Sequence, residues 1–183
     1  AAAVAAAVRG AAPPSPTAAR HTMSWPKLRT SPPRLVKALQ SATPNAVIIN
    51  SEKKLKLSIR HKNFLAAKVI LDIELLKSAP HKVMAFSGMD ALVQAYESFI
   101  SRNATEFSDV LALRAVEMIA SHIVPAVKEG TDLDLHAMLV GSFLAGIAFS
   151  HSRLGVIHGI AHPLGVLYDV PHGLVCAACF LPS

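Results

Sequence analysis

With 183 residues, 52% of them apolar and 16% charged, the chain can bury a core and form one ordinary domain or part of a larger one. Its formal charge of +6 is unevenly spread: residues 1–51 hold six basic residues (Arg9, Arg20, Lys27, Arg29, Arg34, Lys37) and no acid, whereas residues 52–183 hold twelve of each sign. The neutral body gives no electrostatic case for nucleic-acid binding, and two cysteines cannot build a disulfide framework.

Residues 1–43 are Ala-rich and then punctuated by Pro13, Pro14, Pro16, Pro26, Pro32 and Pro33, with no helical or strand period. They are expected to form a disordered or weakly ordered leader. A basic, acid-free leader fits an organelle transit peptide. Cloning or gene-model sequence fits as well, because residue 1 is Ala and Met23 could be a start. RNA binding by this tail is a weaker option, since no aromatics interleave its charges. Otherwise the expected location is cytoplasmic.

From Ala46 the pattern changes. Ala46-Val-Ile-Ile is a β-branched run, Asn50 to Lys54 is turn-like, and Leu55, Leu57 and Ile59 alternate with Lys56, Ser58 and Arg60, which predicts a hairpin. Ala67 to Leu71 reads as a further short buried strand. After Pro80 the chain reads as helical. Ser87 with Asp90 resembles a capping box, and Met89, Leu92, Val93, Tyr96, Phe99 and Ile100 form an apolar stripe with Asp90, Gln94 and Glu97 on a different face. Phe107 to Ala120 is a second helix with Val124 to Lys128 behind it. Thr131 and Asp134 begin a helix that is apolar all round, with Gly141, Ser142, Ala145 and Gly146 allowing close packing. Its longest apolar run, Met138 to Phe149, is too short to span a bilayer and suits a buried helix.

Gly155 to Gly173 concentrates His158, His162 and His172 in an otherwise apolar, glycine-rich segment. Neutral imidazole is both the commonest metal ligand and a proton carrier near neutral pH. On a helix His158 and His162 lie one turn apart, about 6 Å along the axis, and share a face. Pro163 falls inside or at the end of that helix, and Pro171 separates His172 onto another element. The competing explanation is a set of core histidines bonded to backbone. Asp90 is the best-placed acidic donor, against an ordinary role as a helix cap. Gln94 shares its direction, against a plain solvated face. Cys176 and Cys179 form C-A-A-C inside the apolar run Leu174 to Leu181, where a buried hydrophobe outweighs a redox role.

Taken together, S-G-M-D-A-L-V-Q-A-Y-E-S-F-I-S, F-S-D-V-L-A-L, L-A-G-I-A-F-S, L-G-V-I-H-G-I-A-H-P-L-G and P-H-G closely resemble the iron-containing alcohol dehydrogenases, from about Pro44 to Ser183. The resemblance implies an α+β fragment, mainly α: the tail of a Rossmann-like nucleotide domain (44–79) followed by the start of an all-helical metal-binding domain (80–183). It implies the metal ligands Asp90, His158 and His172, with Gln94 where the family usually has a histidine. It implies His162 beside the nicotinamide and the reacting alcohol, and Lys56 at the cofactor. The metal would be Fe2+, with Zn2+ as the alternative, and the cofactor NAD or NADP. The family's glycine-rich phosphate-binding segment is not found, which marks the chain as a piece or a defective gene model of a larger enzyme.

The expected function is therefore metal-dependent, nicotinamide-linked interconversion of an alcohol and its aldehyde or ketone. The expected partner is that small substrate, with no nucleic acid and no membrane, and a homo-oligomer is left open. Two rivals stand beside it. One is a non-catalytic metal-binding remnant or interaction protein. The other is a metal-dependent hydrolase, disfavoured because no second carboxylate lies near the histidines in sequence.

Overall fold

The computed structural model describes residues 43–50, 55–66 and 68–180. The expectations for the leader, for the turn at 51–54 and for residues 181–183 lie outside these. Strands β1 (Asn45–Asn50) and β2 (Leu55–Arg60) pair antiparallel with Ile49 opposite Lys56, which is the expected hairpin. Over its described residues, 68–71, the strand expected at 67–71 does not form. Residues 68–71 carry no ladder and Ile70 is 56% exposed, because β-branched composition without a partner edge or burial does not make a strand.

Five longer helices follow the short α1 (Glu74–Lys77): α2 (His81–Phe99), α3 (Glu106–Lys128), α4 (Asp132–Ser152), α5 (Val156–Leu167) and α6 (His172–Phe180). Helix α2 begins two turns earlier than the Ser87–Asp90 pair suggested. Its N-cap is Pro80, whose ring pre-sets the entry, so Ser87 and Asp90 are interior residues and Asp90 does not cap the helix. The true box lies at α3, where the Thr105 hydroxyl accepts from the Ser108 N–H and the Ser108 hydroxyl accepts from the Thr105 N–H. Helix α3 is also one helix rather than two. Pro125 removes a single backbone bond, Ala126 beyond it is buried, and the helix closes where Gly130, at φ 64, returns its N–H to the Pro125 carbonyl. Helix α4 starts as expected, with the Thr131 side chain accepting from the Asp134 N–H.

Helices α2, α3 and α4 pack together around Met84, Ala91, Ala95, Ile119, Leu135, Met138 and Leu139. The small residues set the spacing: a Cβ at Gly88 would come within 2.6 Å of Met138 Cε. By length and composition both α3 and α4 could cross a bilayer, which the twelve-residue run alone did not indicate. For α4, 61% of the apolar window is buried against its neighbours, the pattern of a packed core helix.

The α2 surface differs from a simple amphipathic helix. Asp90, Gln94 and Glu97 are all buried, as is Val93 of the apolar stripe, while Tyr96, Phe99 and Ile100 are each at least 39% exposed. Buried charges are retained only where partners meet them, and here α5 and α6 bring the histidines onto that face.

Candidate metal centre

Three helices supply the site. Asp90 and Gln94 lie one turn apart on α2, His158 and His162 one turn apart on α5, and His172 and Cys176 one turn apart on α6. Helix α5 runs through Pro163 and ends near Tyr168, and Asp169, at φ 52, turns the chain so that α6 starts at His172. Asp tolerates that left-handed conformation better than most residues. Helix α6 then lies against α2 so closely that Gly173 faces the backbone of Phe86, where no side chain could be placed.

Asp90 Oδ1 is the common point. His158 Nε2 lies 3.1 Å from it, Gln94 Nε2 donates to it at 3.1 Å, and Cys176 Sγ and His172 Nε2 each stand 3.7 Å away. One donor atom from each of Asp90, His158, His172 and Cys176 lies within 4.8 Å of all the others. Asp90, His158 and Cys176 are almost wholly buried. His162 sits beside the group, its ring centroid 4.9 Å from that of His172 and 6.2 Å from that of His158.

Glu97 holds the group from behind. Its Oε2 receives His158 Nδ1 at 2.6 Å and its Oε1 accepts the Ile157 N–H at 2.7 Å. Glycine at 155, the α5 N-cap, has no capping side chain, so this carboxylate from α2 satisfies the first turn and meets the positive end of the α5 dipole. The same contact fixes the imidazole with Nε2 turned toward Asp90, the arrangement by which an outer carboxylate orients a ligating histidine. A side chain at 155 would press on Glu97, since a Cβ there would stand 2.8 Å from Oε1.

The electrostatics follow from the same contacts. Burial pulls the His158 pKa down, but hydrogen bonds to Asp90, Cys176 and Glu97 outweigh it and push it up to about 11. Burial raises the Glu97 carboxyl, yet the His158 bond and the α5 backbone bonds leave it below its ordinary value. Burial pushes the Cys176 thiol up, with the Asp90 charge beside it acting in the same direction.

Residues 84–183 match the C-terminal part of the Fe-containing alcohol dehydrogenase family. The chain belongs to that family. It is 40% identical over 141 residues to 1,3-propanediol dehydrogenase of Klebsiella pneumoniae, covering 76% of this chain and 36% of that protein. It is 36% identical over 137 residues to alcohol dehydrogenase 4 of Saccharomyces cerevisiae, covering 74% of this chain and 36% of the relative. An archaeal alcohol dehydrogenase from a Red Sea brine pool superposes with a TM-score of 0.73 at 31% identity, over 76% of this chain and 35% of that one. The chain thus spans about a third of the length of these relatives.

Of the residues singled out in the sequence, the fold brings Asp90, Gln94, His158, His162 and His172 together. Lys56 is on β2, and its side chain lies outside the described residues. Two members of the cluster lie outside that set. Cys176 packs as the expected buried hydrophobe with Val93, Ala161 and Val175, but its sulfur also meets His172 and Asp90. Its four-residue spacing from His172 was the signal. Glu97 shows equally that a second carboxylate does stand against the histidines, which removes the sequence-distance argument used against a hydrolase.

Proposed function

We propose that this chain provides the metal-bearing helical part of an oxidoreductase that interconverts an alcohol with its aldehyde or ketone using NAD or NADP. What supports it is the convergence of Asp90, His158 and His172 in a chain of this family. The donor set suits a divalent cation: two imidazole nitrogens and a carboxylate oxygen, with Gln94 Oε1 buried beside them without a hydrogen-bond partner. A bound cation would polarise the alcohol oxygen, and the nicotinamide would take up hydride.

The chain's own groups do the rest. Asp90, His158 and His172 hold the ion, and Glu97 keeps the His158 ring in register. His162, only partly buried and next to His172, is placed to take the hydroxyl proton and pass it outward. In this proposal residues 44–79 belong to a Rossmann-like nucleotide domain, residues 80–183 belong to the helical metal-binding domain, and Lys56 serves the cofactor site. The location proposed is cytoplasmic, or an organelle if residues 1–43 act as a transit peptide.

Metal analysis after exhaustive dialysis should find about one Zn2+ or Fe2+ per chain, and titration with NADH or NADPH should perturb the nicotinamide fluorescence. Metal uptake without any cofactor response would favour a non-catalytic remnant. No metal uptake would end the proposal. Glu97→Gln should weaken metal affinity about 10–100-fold without removing a donor, as judged by competition with a chromophoric chelator. Unchanged affinity would mean that Glu97 serves only to cap α5.

A further inference from the structure

The donor geometry points to Cys176, and not Gln94, as the fourth ligand, and we infer that its sulfur tunes the site to Zn2+ in preference to Fe2+. This rests on the metal reading above and goes further by naming the ion from the donors. A tetrahedral ion about 2.05 Å from nitrogen and oxygen and about 2.3 Å from sulfur sets donor-to-donor edges of about 3.3 Å, or about 3.6 Å to sulfur. Cys176 Sγ stands 3.7 Å from Asp90 Oδ1, 3.7 Å from His172 Nε2 and 3.9 Å from His158 Nε2. The edges from Asp90 Oδ1 are 3.1 Å to His158 and 3.7 Å to His172. These five edges match those of one tetrahedron to within about 0.4 Å, and all four donor atoms, the His158 and His172 nitrogens included, lie within 4.8 Å of one another.

Gln94 plays a different part. Its amide nitrogen, a donor with no lone pair to offer, is committed to Asp90 Oδ1 at 3.1 Å and steadies the carboxylate, and its Oε1, buried with no hydrogen-bond partner, is a neutral oxygen that a dication takes less readily than an anionic sulfur. Cys176 has the opposite disposition. It is completely buried, one turn after His172 on the same helix and in one apolar cluster with Val93, Ala161 and Val175, and its sulfur meets Asp90, His158 and His172. A thiolate with a carboxylate neutralises a dication. Two imidazoles and one thiolate form a softer set than an all-nitrogen and oxygen site, which suits Zn2+. Cys179, exposed on the outside of α6, has no part in this and supplies a control.

Cobalt reports the sulfur directly, because Co2+ takes Zn2+ sites and a thiolate ligand adds an intense near-ultraviolet charge-transfer band. The wild-type chain and Cys179→Ala should both show the band on binding one Co2+, and Cys176→Ala should bind Co2+ without it. Cys176→Ser, which keeps the volume, should likewise lack the band and should reduce the preference for Zn2+ over Fe2+ at least about tenfold in competition. Co2+ bound by the wild type with no such band, or a band that survives in both Cys176 variants, overturns the thiolate assignment and leaves the metal reading standing. Failure of the wild type to bind Co2+, Zn2+ or Fe2+ stoichiometrically overturns both.

Discussion

Replacing His158 with alanine is expected to abolish stoichiometric metal binding and to lower the stability of the chain at the same time. The imidazole is a bridge: Nε2 faces Asp90 and Nδ1 faces Glu97, with only 4% of the residue exposed. Its removal takes one donor from the ion and leaves the Glu97 carboxylate buried with only the α5 backbone as partner, a loss of about 3 kcal/mol. Metal analysis and urea unfolding, with and without chelator, separate the two effects. His162→Ala should leave both nearly unchanged and, in a complete enzyme, slow turnover. Equal metal content in the wild type and His158→Ala would refute the site. The pH dependence has a definite sign. Without metal, the raised pKa of His158 contributes stability that is fully present below its unfolded value of about 6.5 and is lost as pH rises through about 11. Metal must displace that proton, so its binding should tighten with rising pH and release protons to the buffer.

The second large effect is expected from Gly173→Ala. A Cβ at this position meets the carbonyl group of Phe86 on α2, a rigid backbone neighbour that cannot swing aside as a side chain could. Helix α6 must therefore lift away, taking His172 and Cys176 with it, at a cost of about 3 kcal/mol or more. The unfolding midpoint should fall and metal affinity should drop together. Gly159→Ala on α5 is the matched control. Nothing lies within 4 Å of a Cβ there, so the helix should gain up to about 1 kcal/mol from the change. Equal behaviour of the two variants would mean that α6 does not dock on α2 through Gly173.

Sequence patterning revealed the elements whose signals are local. Alternation at Leu55, Leu57 and Ile59 marked the hairpin, Thr131 with Asp134 marked the start of α4, and the spacing of His158 and His162 put them on one face. It failed where tertiary packing decides. Ser87 and Asp90 carry cap-like chemistry but sit about two turns into α2, because Pro80 starts the helix, and the Asp90 carboxylate is spent on α5 and α6. Val124 to Lys128, set behind the helix of Phe107 to Ala120, continues it through Pro125, and Ala126 packs into the core. Glu97 was visible as the third member of the Asp90, Gln94, Glu97 face, but its partner His158 is 61 residues away and no local spacing points to it. Cys176 was hidden by its apolar neighbours, which pack around the thiol without removing it from the cluster.

The most direct test of the metal centre is a crystal structure of the chain soaked with Zn2+, with anomalous data collected on either side of the zinc edge. The account predicts one strong anomalous peak within about 2.0–2.3 Å of Asp90 Oδ1, His158 Nε2 and His172 Nε2. A Zn2+ bound elsewhere with these three side chains unligated, or no peak between α2, α5 and α6, would contradict it.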